Sequence, residues 1–466
     1  MTSFKMSIKT LVAMAALASV GFSAHAVTPQ QARDIAEEAY IFSYPMLENY
    51  KTLYNQTQNP DYKGYVGGFA EYKHYSKPFT PDDIDVVTPN NDTTYSWAWL
   101  DLRREPIVFS TPDLDDASRF NAFQWWDLFT HNFTVEGSRI SGMEGKTVLI
   151  AGPNWNGEKP ADVDKVFYVE SNFVGTLTRT NILGDDDTTN IKALQREYDF
   201  TPLSAWNGEK PPAPVANIEF PVWSDEKAKT AEFIEYMNFL LTQVDQDRPD
   251  YETEVLNTFK EIGLEAGKEF NIDEVDSEIV DAINAGIQDA FAKLKKRGKT
   301  NKSNIGIFGD RAYYESLGDD KYEARAIGTL LGLYGMNESE AVYFSYQIDD
   351  AKQRLSGENT YTIHFSKEEL PPVSQFWSFT MYQLPSQLLV ENEIDRYSIG
   401  DRTEGLTYDE DGGLTITISN QKPSGDVAVK NWLPSPDGYF YMVARLYGPD
   451  AKVVTGEWVR PELHKQ

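Results

Sequence analysis

Asn431-Trp432-Leu433-Pro434-Ser435-Pro436-Asp437-Gly438-Tyr439-Phe440, running on to Arg445-Leu446-Tyr447-Gly448-Pro449, decides how the fold is read. Each proline fixes its own φ, and Asp437-Gly438 supplies residues that tolerate the left-handed turn conformation. The aromatic run after the turn reads as a strand. Stiff loop, tight turn and aromatic strand in succession are the texture of a β domain.

Outward from this stretch, strands are expected at Val342 to Ile348, Thr360 to Phe365, Phe376 to Tyr382, Leu414 to Ile418 and Tyr439 to Leu446. Thr415 and Thr417 alternate with Leu414, Ile416 and Ile418, as in a half-buried antiparallel strand. Upstream the period changes to helical. Asp319 to Tyr334 should form a helix with Ala324, Ile327, Leu330 and Leu331 inward. Ile279, Ile283 and Phe291 mark another, closed by Lys295-Lys296-Arg297-Gly298, cations and then a glycine stop. Phe233 to Leu241 and Val255 to Leu264 are two more, and Pro211-Pro212-Ala213-Pro214 is a linker. From about Gly64 to Asn181 short aromatic and β-branched runs return, such as Thr147 to Ile150, Val166 to Val169 and Phe173 to Leu177. Ahead of them Thr28-Pro29-Gln30-Gln31 should cap a helix carrying Ala32, Ile35, Ala36, Ala39 and Phe42 inward, with Pro45 kinking or ending it.

The C-terminal residues also carry a resemblance. Tyr361-Thr362-Ile363-His364-Phe365, Leu370-Pro371-Pro372-Val373, Phe376-Trp377-Ser378-Phe379-Thr380-Met381-Tyr382, Arg396 to Arg402 and the Asn431 to Pro436 motif resemble domain of unknown function 1214. Thr88-Pro89-Asn90, Asp92-Thr93, Tyr95, Asp101-Leu102, Glu105-Pro106, Ala151-Gly152-Pro153 and Trp155 resemble its usual N-terminal partner, domain of unknown function 1254. The resemblance implies two jelly-roll-like sandwiches flanking a helical segment. The expected fold class is therefore mainly β with α: antiparallel β-sandwich domains at 27–205 and 336–466, joined by a linker and helical segment at 206–335.

The chain has 466 residues and a formal charge of −29. Such acidity opposes nucleic acid, whose phosphates it would repel. Residues 1–26 read as a signal peptide: Lys5 and Lys9, a short apolar core from Leu11 to Val20, and the small-x-small site Ala24-His25-Ala26. That core is too short to span a bilayer, and no later stretch approaches the length, so no stable membrane insertion is expected. Cleavage near Ala26 would place the protein in a bacterial periplasm or outside the cell. There is no cysteine, hence no disulfide, thiolate ligand or cysteine nucleophile.

No phosphate loop, dinucleotide fingerprint or nucleophile elbow is present, and no histidines stand at metal-ligand spacing, so neither cofactor nor metal is expected. The Asn90 to Tyr95 cluster could bind sugar hydroxyls or a hard cation, or be a locally capped turn. Trp125-Trp126-Asp127, with His131 and Asn132, is the second cluster. Trp125 and Asp127 share one strand face and Trp126 takes the other. Asp127 as acid with Asp92 as base or nucleophile would make a hydrolytic carboxylate pair; the structural alternative has Asp127 tying backbone N–H groups. Arg179 and Arg445, each in an apolar strand, must be paired if buried, and either could clamp a ligand carboxylate. Trp432 is a stacking platform or a core plug, with Asn431 as its polar neighbour. Asp409 to Gly413 reads as a solvated turn rather than a calcium loop. The functional expectation is a hydrolase acting on a glycan-like or small polar ligand, through catalytic Asp92 and Asp127 and ligand-binding Asn90, Arg179, Asn431 and Trp432. The alternative is a non-catalytic ligand-binding or envelope-assembly module.

Overall fold

The computed structural model describes residues 27–84, 88–184, 186–301 and 303–466; the expected signal peptide lies outside them. The first element is α1, Pro29–Thr57, and its start is dictated locally. Thr28 accepts from the Gln31 backbone while the Gln31 side chain accepts from the Thr28 backbone, a capping box. Ala32, Ile35, Ala36, Ala39 and Phe42 are buried, as their spacing requires. Pro45, by contrast, does not end the helix, which continues to Thr57 with Pro45 itself buried. Tertiary packing overrides the lost hydrogen bond. The long contact is with a later helix, Ser277–Gly298, where Gly286 lets the backbones meet: a Cβ there would lie 2.3 Å from the Arg33 carbonyl oxygen.

The next strands are β1 Lys73–Tyr75, β2 Thr93–Asp101, β3 Ile107–Ser110, β4 Asn121–Trp126, β5 Asn132–Gly137, β6 Thr147–Ala151, β7 Lys165–Tyr168, β8 Phe173–Asn181 and β9 Asp199–Pro202. They form two sheets, ordered β1-β2-β8-β4-β5 and β7-β6-β3-β9. Period-two alternation splits β4 as the sequence demands. Phe123 and Trp125 join Phe109, Val148 and Ile150 in an apolar cluster drawn from both sheets. Trp126 points the other way, into the helical core with Tyr40, Phe42 and Trp99.

The helices of that core are α2 Phe233–Leu240, α3 Asp250–Phe259, α4 Ser277–Gly298, α5 Arg311–Ser316 and α6 Lys321–Gly332. On α6 the expected face is rotated: Leu331 is 49% exposed, while Arg325 is buried beside Ala324, Ala326 and Ile327. The remaining strands are β10 Ala341–Tyr346, β11 Tyr361–Phe365, β12 Val373–Gln383, β13 Ser398–Gly400, β14 Leu414–Ser419, β15 Trp432–Pro434, β16 Phe440–Pro449 and β17 His464–Lys465. They form sheets ordered β10-β16-β12-β13 and β15-β14-β11-β17, which share one apolar cluster. Asp409 to Gly413 is a turn, closed by the Gly412 N–H on the Asp409 carbonyl with Gly412 at φ 85°.

Among the described residues the protein is thus mixed α/β, with several sheets, eleven helices and no closed barrel. Helices carry more of it than a mainly β reading allows, because α1 extends the helical layer formed by residues 233–332.

Candidate functional site

The six sequence candidates fall in separate places. Asn90 and Asp92 sit in the loop before β2, and that loop docks onto the C-terminal sheet. Asn90 Nδ2 donates to the Tyr447 hydroxyl (2.8 Å), Ser378 Oγ to Asp92 Oδ2 (2.6 Å), and the Tyr382 hydroxyl to the Pro89 carbonyl (2.7 Å). Asn90 also caps its own turn, accepting from the Asp92 backbone. Asn431 is buried and fully used: its amide donates to the Thr407 and Thr415 carbonyls and its oxygen accepts from the Thr407 N–H. Trp432 is 1% exposed, with its indole N–H on the Ser419 carbonyl, so it is a plug. Neither residue lines a groove.

The proposed carboxylate pair is not brought together. Thr93, next to Asp92, pairs with Asn181 at one end of β8; Trp126, next to Asp127, pairs with Gly175 toward the other end. At strand rise this sets them roughly 20 Å apart, beyond the range for paired-acid hydrolysis.

Asp127 belongs to a different constellation. β4 ends at Trp126, and the chain turns tightly through Thr130, a non-glycine residue at φ 69°. The turn returns His131 onto Asp127: the His131 backbone N–H meets Asp127 Oδ1 at 2.9 Å and Nδ1 meets Oδ2 at 2.9 Å. Burial opposes the Asp127 charge, but the imidazole, these hydrogen bonds and nearby Arg311 hold its carboxyl below the usual range. Phe129 stacks on the His131 ring.

Three helices and the loop after β7 bring the rest. Arg311, opening α5, donates through Nε to both oxygens of Glu170 at 2.6 Å and through Nη1 to Glu252 of α3 at 2.8 Å. Burial and the Asp127 charge push Glu170 up, against the pull of Arg311. Arg325 of α6 donates to the Phe42 carbonyl and stands over the Phe42 and Phe129 rings. Its Nε, Glu252 Oε1 and the Tyr322 hydroxyl are buried with no hydrogen-bond partner. Glu252, Arg311, Tyr322 and Arg325, with His131, Tyr251, Tyr314 and Lys321, line one cleft. As it stands the cleft admits about one water-sized molecule. Asp127, His131 and Glu170 also offer ligand atoms within 4.8 Å of one another, a set that could hold a metal ion only if Arg311 yields part of Glu170.

His131 and Asn132 were visible as neighbours of Asp127 in the sequence; Glu170, Glu252, Arg311 and Arg325 were not. Arg325 carried one signal, an arginine inside the small-residue run Ala324 to Gly328.

Comparison with known proteins gives the family but no chemistry. One family model, Protein of unknown function (DUF1254), matches residues 69–202, and another, Protein of unknown function (DUF1214), matches residues 340–451. The chain carries a DUF1254 match followed by a DUF1214 match. Both models fall where the sequence motifs placed them, in that order. The crystal structure of the VPA0106 protein from Vibrio parahaemolyticus is similar at 29% identity and a TM-score of 0.74, over 93% of this chain and all of that one. A protein from Burkholderia cenocepacia is similar at 10% identity and a TM-score of 0.40, over 92% of this chain and 88% of that one. No curated protein matches. No described helix of this DUF1254–DUF1214 chain is long and apolar enough to cross a membrane.

Proposed function

We propose that this protein is an exported hydrolase of a small polar ligand, glycan-like or otherwise, acting in the His131 cleft. One observation carries the reading: Asp127 occupies Nδ1 of His131 and leaves Nε2 as the free nitrogen of a ring that lines the cleft. A carboxylate so placed fixes the tautomer and stabilises the imidazolium that forms when Nε2 takes a proton. Nε2 would accept a proton from water as the water oxygen attacks the scissile centre, then return it to the leaving group. Arg325 Nε, unpartnered and buried, is a donor for the charge that develops on the substrate. Export follows from the reading of residues 1–26, and a jelly-roll arrangement of each sheet pair is the fold this reading adopts.

The smallness of the cleft favours a second reading, ligand binding or envelope assembly without turnover. Assays with p-nitrophenyl acetate, phosphate and β-glycosides decide between them. Turnover of one substrate class by the parent, lost about 100-fold or more in His131→Gln, supports hydrolysis. No turnover of any class by a folded parent sinks it and leaves binding.

A further inference from the structure

The domain junction has a second polar interior, built from the faces of two sheets. On one, Tyr95 of β2 stands directly opposite Arg179 of β8. On the other, Tyr343 of β10 stands directly opposite Arg445 of β16. Directly opposed cross-strand residues share a face. The two faces meet: Ala122, the other neighbour of Arg179, packs in one apolar cluster with Tyr343 and Tyr447, and Tyr95 packs in another with Tyr382 and Val443. The charges of Arg179 and Arg445 both act on the Tyr343 hydroxyl. Each sheet thus brings an arginine–tyrosine pair to the same space.

Both arginines are buried, each 6% exposed, yet among the described residues no carboxylate lies in salt-bridge range of either. Arg179 donates to Gln124 Oε1 and, at 2.8 Å, to the Tyr334 carbonyl. Arg445 donates to Thr380 Oγ1 and the Tyr382 hydroxyl, both at 2.7 Å. These are neutral acceptors. A buried charge normally meets an opposite one. The Asp92 charge reaches Arg445 without a direct contact, and Asp92 Oδ2 accepts from Ser378. The two guanidinium groups thus stand without a directly paired carboxylate inside a strongly acidic chain. Tyr95 and Tyr343 themselves stay only partly buried.

We propose that the Arg179–Tyr95 and Arg445–Tyr343 pairs together bind a small organic carboxylate at the domain junction. The guanidinium groups supply charge and fork geometry for the carboxylate. The tyrosine faces suit an apolar or aromatic tail. Binding there would bridge the two family-matched regions, so the ligand would stabilise the pair of domains by mass action. The site is separate from the His131 cleft.

Thermal unfolding with sodium benzoate, acetate and inorganic phosphate at constant ionic strength tests this. Benzoate should raise the melting temperature saturably, acetate less so. Arg179→Met and Arg445→Met, where folded, should each weaken benzoate at least tenfold and leave turnover at the His131 cleft intact. If those variants do not fold, Tyr343→Leu decides: it removes one aromatic face and should weaken benzoate at least threefold. Absence of saturable benzoate binding to the parent, unchanged affinity in the variants that fold, or tighter binding of phosphate than of benzoate would each overturn the assignment.

Discussion

Ser378 Oγ donates a 2.6 Å hydrogen bond to Asp92 Oδ2, joining the loop before β2 to the middle of β12. The bond links the two family-matched regions. Around it Asn90 holds Tyr447, the Tyr382 hydroxyl holds the Pro89 carbonyl, and Thr88 meets Tyr441 at 2.7 Å. The Thr88 to Asp92 motif is therefore a latch between domains. Asp92→Ala should cost about 1–3 kcal/mol, since it leaves part-buried donors unmade. A double-mutant cycle with Ser378→Ala in urea should show a coupling of about 0.5 kcal/mol or more. Strict additivity would show that the latch carries no energy.

Trp432→Ala should cost roughly 3–5 kcal/mol, because a fully buried indole leaves a cavity and the Ser419 carbonyl keeps only the Ser435 N–H of its two donors. Asn431→Ala should cost about 2 kcal/mol, since two carbonyls and one N–H lose their partner together. Neither change should alter benzoate affinity per folded molecule. Chemical denaturation of the two variants checks this; a Trp432→Ala protein that unfolds like the parent contradicts the plug.

These residues show what was legible. Thr28 and Gln31 were readable because a capping box needs only four consecutive residues. The strands were readable because alternation is local: Trp125 and Trp126 do face opposite cores. The role of Asn431 and Trp432 was not. Polar and proline neighbours suggest an open loop, and only β14, lying alongside, makes it interior. Asp92 was noticed for its chemistry, but its partner is Ser378, far along the chain. The His131 cleft is still less local, since Glu252, Arg311 and Arg325 reach it from separate helices, with Glu170 paired to Arg311. No spacing rule joins them.

Asp401 gives a pH test of the junction. Its Oδ1 accepts from the Trp377 N–H, but burial pushes its carboxyl from 3.8 up to about 6. The folded state therefore holds a proton that the unfolded state releases between about pH 4 and 6. Stability from this group falls as pH rises through that window and is level above it, a loss on the order of 2 kcal/mol after allowing for partial exposure. Asp401→Asn should remove the fall, so the variant should gain on the parent between pH 4.5 and 7 in urea unfolding. Parallel pH profiles would refute the shift.

Asp127 has the opposite sign and separates anchoring from catalysis. Its carboxyl is held below the usual range by His131 and Arg311, in spite of burial. A depressed carboxyl contributes stability that is present above its unfolded pKa and lost as pH falls through the folded one. Asp127→Asn keeps the shape but loses the charge. At pH 7 it should cost roughly 2–4 kcal/mol, since the turn through Thr130 hangs on this carboxylate. The gap between variant and parent should narrow as pH falls below about 4, where the unfolded chain takes up the proton before the folded parent does. Urea unfolding at pH 3, 5 and 7 reads the gap. A gap of the same size at all three values would mean that Asp127 acts through packing alone, and that its charge does not hold His131 in place.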